Sequence, residues 1–206
     1  MPNERLYYKF GEINCNGAIY LLCSMICPAG ARGNFILLTE DAGMTYYAHI
    51  REDKDGRTEY QTVEEHLTGT AVLCREFAAS FGAAEQGELA GLTHDMGKCT
   101  EAFQRRLLEN GPIADHATAG AVICAKRGQL YTAACVAGHH GGLPDFGSAA
   151  ADRAGEATLY GRLKKGIEGR YPEQCGESGI SLPAQIPAMP VRGKLAASFW
   201  TRMLYS

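Results

Sequence analysis

The sequence has no C-x-x-C pair among its eight cysteines, no G-x-x-x-x-G-K-[ST] string, no long apolar run and no excess of positive charge. The first absence argues against a four-cysteine zinc site, since Cys23 and Cys27 have no second pair to complete one. Several cysteines fall inside apolar patterns, where a free thiol acts as a small core residue, so all eight are expected to be reduced in a cytoplasmic protein. The second absence excludes a nucleotide-driven motor: Gly97-Lys98 is followed by Cys99, and Gly91 stands one residue too far upstream. The apolar segment Ile19–Cys27 is too short to span a bilayer. Arg5 and Lys9 are offset by Glu4 and Glu12, which does not suit a signal peptide. Net charge is −3, against a chain-wide basic coat for nucleic acid, although a local basic groove remains open.

What is present suits one folded domain with an appendage. The chain has 206 residues, 46% of them apolar and 21% charged, enough to build a core and too apolar for global disorder. Residues 1–43 differ from the rest: two apolar runs flank a Pro-Ala-Gly stretch and read as short strands or irregular structure in an N-terminal extension. The segment 51–62 is polar and reads as a loop. From Thr62 the period is helical, with Leu67, Ala71, Cys74, Ala78 and Phe81 on one stripe. Further helices are expected at about 85–96, 100–109, 115–126, 130–138 and 149–168, with Asp115 as a cap. Residues 169–190, with four prolines and three glycines, read as a long loop. A last helix over 191–205 places Leu195, Phe199 and Met203 on its apolar stripe. The expected class is mainly α, a helical bundle.

Five of the six histidines sit near the ends or faces of consecutive expected helices: His66, His94 in the string His94-Asp95-Met96-Gly97-Lys98, His116 after Asp115, and the adjacent pair His139-His140. A bundle can project such side chains into one pocket. Neutral imidazoles bind borderline divalent metals, and a carboxylate can bridge two of them, which makes Asp95 the candidate shared ligand. Lys98, one turn on, could neutralise a phosphate oxygen. Asp95 and Lys98 are therefore the candidate catalytic residues. A lone histidine is more often a cap or a surface residue, and His49 is assigned to that class, outside any first coordination shell. Lys98, Arg105 and Arg106 form a candidate basic strip for an incoming polyanion, or a solvated helix face.

The pattern H…HD-x-G-K…H…HH resembles the HD superfamily of metal-dependent phosphohydrolases. More closely it resembles the HD nuclease domain of the CRISPR-associated nuclease–helicase of type I systems, through Tyr46–Ile50, Thr62–Leu67, Leu92–Lys98, Glu101–Gln104, Asp115–Gly120 and Gly138–Asp145. The match runs over residues 44–206. It implies an HD-type helical bundle that cleaves single-stranded DNA in antiviral interference. Partners would be a helicase domain or subunit and the CRISPR surveillance complex, with no membrane. It implies one or two divalent ions, with Mn, Ni, Co, Fe and Mg as candidates. One would be held by His66, His94, Asp95 and a late aspartate expected just beyond Ser206, so the domain reads as truncated there. The other would be held by Asp95, His116, His139 and His140. Two alternatives stay open: an HD phosphohydrolase acting on a nucleotide or cyclic dinucleotide, and a catalytically impaired HD fragment. Gly141-Gly142-Leu143-Pro144 after the paired histidines differs from the Gly-Tyr-Pro stretch of the cyclic-dinucleotide branch.

Overall fold

Thr62 ends a strand and opens a helix. Its hydroxyl accepts from the Glu65 amide, while the Glu65 carboxylate accepts from the Thr62 amide, a capping box that sets the start of α1 (Val63–Ala79). A computed structural model of the chain describes residues 45–167, 180–189 and 191–206, which lie within one unit, Ala42–Ser206. The expectation for 1–43 falls outside the described residues.

Two antiparallel strands precede α1: β1 (Tyr47–Glu52) and β2 (Thr58–Thr62), paired from Tyr47↔Thr62 to Glu52↔Thr58. The loop expected over 51–62 is therefore a hairpin. Its turn is set by Asp53, whose Oδ1 accepts from the Asp55 and Arg57 amides. Its strands carry mostly exposed polar residues, so no apolar alternation announces them. The buried residues Tyr46 and Ala48 anchor it to the bundle.

The helices follow as α2 (Ala84–Thr93), a 3-10 turn (Met96–Cys99), α3 (Glu101–Glu109), α4 (Ala117–Lys126), α5 (Leu130–Gly138), α6 (Leu159–Lys165) and α7 (Lys194–Tyr205). One core cluster joins Tyr46 and Ala48 to Val63, Leu67 and Leu92; a second joins Leu89, Cys124, Val136 and Leu159 across α2, α4, α5 and α6. Burying side chains of this size contributes about 1.5–3 kcal/mol each. Gly120 lets α4 cross the end of α2: a Cβ there would press into the Thr93 carbonyl oxygen and lie 2.9 Å from Val136 Cγ1.

Three expectations need correction. The helix expected over 149–168 is confined to Leu159–Lys165, because Gly147 and Gly155 take φ of 72° and 89° and Thr158 caps the helix there. The last helix buries Ala197, Trp200 and Thr201, and leaves Leu195 and Phe199 at 86% and 65% exposure. Trp200 supplies the largest apolar surface on that helix and turns its own face inward, against Ala78 and Ala83. Cys99 is disulfide-bonded, a state that no spacing in the sequence signals, whereas Cys74, Cys124 and Cys135 are free thiols. Among the described residues, no helix is long and apolar enough to cross a membrane.

Candidate metal centre

Helix ends build the site. His94 caps the C-terminus of α2, Asp95 follows it, and Lys98 lies in the 3-10 turn. His66 projects from α1, His116 precedes α4, and His139-His140 follow α5. Asp115 accepts from the Ala117 and Thr118 amides and from the Thr118 hydroxyl, which fixes the chain where His116 enters. The structure thus brings together all six residues singled out as candidate ligands.

Two ring orientations are set by backbone carbonyls. His94 Nδ1 lies 2.9 Å from the Gly91 oxygen and His139 Nδ1 lies 2.8 Å from the Val136 oxygen. A carbonyl only accepts, so each Nδ1 donates its proton there, and Nε2 is the ring nitrogen left facing Asp95.

The two carboxylate oxygens of Asp95 face different partners. His66 Nε2 lies 3.0 Å and His94 Nε2 3.3 Å from Oδ2, and 3.1 Å from each other. His139 Nε2 lies 3.2 Å and His116 Nε2 3.4 Å from Oδ1, and His140 Nε2 lies 2.9 Å from His116 Nε2. With metal–nitrogen bonds of about 2.1 Å, neighbouring ligands stand about 3.0 Å apart at right angles and about 3.4 Å apart in a tetrahedron. The observed separations therefore match the edges of a coordination polyhedron on each side of the carboxylate.

Buried polar atoms support the same fit. Asp95 is 3% exposed, and its Oδ1 and His139 Nε2 are buried without a hydrogen-bond partner. Such atoms cost free energy unless something satisfies them, and a shared cation would satisfy both. Burial pushes the Asp95 carboxyl up, but the imidazoles of His139, His66 and His94 more than offset this and hold it far below the usual carboxylate range. Burial lowers His116, with the neighbouring His139 and His140 adding to the effect against Asp95. Burial also lowers His140. A carboxylate held ionised among imidazole nitrogens is a donor set for a divalent cation.

Lys98 stands differently from expectation. It is 4% exposed, and its ammonium meets Asp95 Oδ2 at 2.8 Å, the Ala48 carbonyl at 3.2 Å and His49 Nε2 at 3.2 Å. It is therefore not part of a surface strip with the exposed Arg105 and Arg106, the first of which lies 3.8 Å from Glu101. His49, set aside in the sequence reading, comes within 4.8 Å of ligand atoms on His66 and Asp95, and its ring lies 4.7 Å from that of His66. The string Tyr46–Ile50 that carries part of the resemblance contains it, and the hairpin delivers it to the site. Gln104 holds that hairpin: it accepts from the Tyr47 amide at 3.1 Å and donates to the carbonyls of Tyr47 at 2.9 Å and Lys98 at 2.7 Å. A cavity of about 350 Å³ adjoins His94 and His139, walled in part by Thr70, Val136 and Tyr205.

No curated protein matches this chain. A family model described as HD domain matches residues 63–167, just over half of the chain. That stretch holds His66, His94, Asp95, His116, His139 and His140, with His49 upstream of it, and the chain belongs to the HD domain family of metal-dependent phosphohydrolases.

Proposed function

We propose that this chain hydrolyses phosphodiester bonds in single-stranded DNA, using two divalent cations that share Asp95. The observation that carries the two-cation reading is the division of Asp95: Oδ2 faces His66 and His94, while Oδ1 faces His116 and His139. When bound, such cations supply Lewis-acid polarisation of a phosphoryl oxygen and a nucleophilic water at neutral pH.

The chain's own residues hold that arrangement. His66 and Asp95, with His94 and His49 beside them, would hold one cation, and Asp95, His116, His139 and His140 the other. Lys98 orients the carboxylate and balances its charge through the 2.8 Å contact, so its work is on Asp95 rather than on a phosphate. The choice of DNA as substrate rests on the strings Asp115-His116-Ala117-Thr118-Ala119-Gly120 and His139-His140-Gly141-Gly142-Leu143-Pro144-Asp145, which resemble the CRISPR-associated HD nuclease. On that reading the chain works in the cytoplasm beside a helicase and a surveillance complex.

The test compares the wild-type chain with Asp95→Ala, each titrated with Mn²⁺, Ni²⁺, Co²⁺, Fe²⁺ and Mg²⁺. Metal content and hydrolysis are read on single-stranded DNA, on cyclic dinucleotides and on nucleotides. The expected result is cleavage of DNA alone and loss of both bound metal and activity in the variant. A folded Asp95→Ala protein that keeps its metals and full activity sinks the shared-ligand assignment. Turnover of a small nucleotide with DNA untouched sinks the choice of substrate.

A further inference from the structure

Phe103 is an aromatic side chain at the rim of the metal centre, partly covered by the fold. It lies on α3, which has no buried residue, and it belongs to none of the three core clusters. Its ring is half-buried, with its centroid 5.2 Å from that of His116 and the planes 67° apart. The Lys98 ammonium lies 5.5 Å from the same ring centroid. The ring therefore stands at the edge of the candidate metal centre, against one of its histidines.

The backbone around it is pinned. The Phe103 amide donates to the Thr100 hydroxyl at the start of α3, and the next residue is Gln104, whose amide group makes three hydrogen bonds to Tyr47 and Lys98. A ring placed so firmly loses little freedom when a ligand covers it. The helix surface around it is charge-balanced: Glu101 and Glu109 offset Arg105 and Arg106, with Leu108 exposed beside them. Such a surface offers little to a phosphate backbone and more to the flat, apolar face of a base.

We propose that Phe103 is a stacking platform for the nucleobase flanking the scissile phosphate. The inference rests on the nuclease reading above and deepens it. A base in a duplex is already stacked and paired, whereas a single-stranded base can turn out onto the ring, so the platform favours unpaired substrate. Every base has a π-face, so the preference is for a base as such rather than for a sequence.

The experiment uses the metal-loaded protein and a single-stranded oligothymidylate, with an abasic residue walked across the cleavage position. Wild type is compared with Phe103→Ala, Phe103→Leu and Phe103→Trp, and the metal content of each is measured. The wild type should bind one abasic oligomer roughly 5- to 150-fold more weakly than the intact one, the range of a lost base–aromatic stack. Phe103→Ala and Phe103→Leu should lose that discrimination while keeping both metals, and Phe103→Trp should retain it. If Phe103→Leu discriminates as wild type does, or if no abasic position matters to the wild type, the platform is refuted while the nuclease reading stands. Loss of metal from the leucine variant makes the ring a support for His116 and also refutes the platform. A wild-type protein that loads metal yet neither binds nor cuts single-stranded DNA overturns the nuclease reading, and the platform with it.

Discussion

Replacing Gly97 by alanine should damage the metal centre by pushing backbone, with no change to any ligand. A Cβ built on Gly97 would press into the His116 carbonyl oxygen, and would lie 2.5 Å from the His116 Cα and 2.7 Å from its carbonyl carbon. All three are main-chain atoms, so no side chain can swing aside. His116 must retreat by about 1 Å to reach ordinary van der Waals contact. Its Nε2 stands 3.4 Å from Asp95 Oδ1 and 2.9 Å from His140 Nε2, and such a retreat takes it off the edge of a coordination polyhedron. Overpacking of this kind costs about 1–3 kcal/mol, which lowers the melting temperature of a domain this size by about 3–10 °C. Metal affinity on the His116 side should fall about 10- to 100-fold, the scale seen when groups that orient ligands are disturbed. Gly69→Ala is the control: it lies on α1 with nothing within 4 Å of its would-be Cβ, and alanine should stabilise the helix by about 0.5–1 kcal/mol. Calorimetric unfolding and isothermal titration with Mn²⁺ measure both effects. If Gly97→Ala binds metal with wild-type affinity and stoichiometry, close backbone approach is not what positions His116.

Gln104→Ala should loosen the hairpin, since it removes three hydrogen bonds and leaves the Tyr47 amide without its partner. The expected cost is about 1–3 kcal/mol in denaturant unfolding, with faster hydrogen exchange at Tyr47, and unchanged exchange there would refute the clamp. Burial pushes the Cys124 thiol up to about 12, so at pH 8 its thiolate fraction is on the order of 10⁻⁴ and iodoacetamide should spare it in the native protein. Among the three free thiols described, mass spectrometry should find the half-buried Cys74 modified first; alkylation of Cys124 at the rate of the unfolded chain would contradict this.

Much of the site was legible in the sequence because its signals are local. His94, Asp95 and Gly97 are neighbours in the chain, His139 and His140 adjoin, and Asp115 caps the helix that His116 leads, so side-chain type and helix boundaries together announced six candidate ligands. The same locality made α1, α4 and α5 readable from period and caps. Where signals are local but ambiguous, the structure departs from them: the alanine-rich stretch before Thr158 has a helical composition but is bounded by Gly147 and interrupted by Gly155, both at positive φ, and α7 carries two apolar faces with only the Trp200 side turned inward. The rest depends on residues far apart in sequence. Lys98 turns inward because Ala48 and His49 meet its ammonium across about 50 positions, and Gln104 fastens Tyr47 across 57. Which Asp95 oxygen faces which imidazoles follows from how closely α4 approaches Gly97 and the end of α2. Periodicity records which face of one helix is apolar; the distance between two helices is decided by the packing of both, and that exists only once the chain has folded.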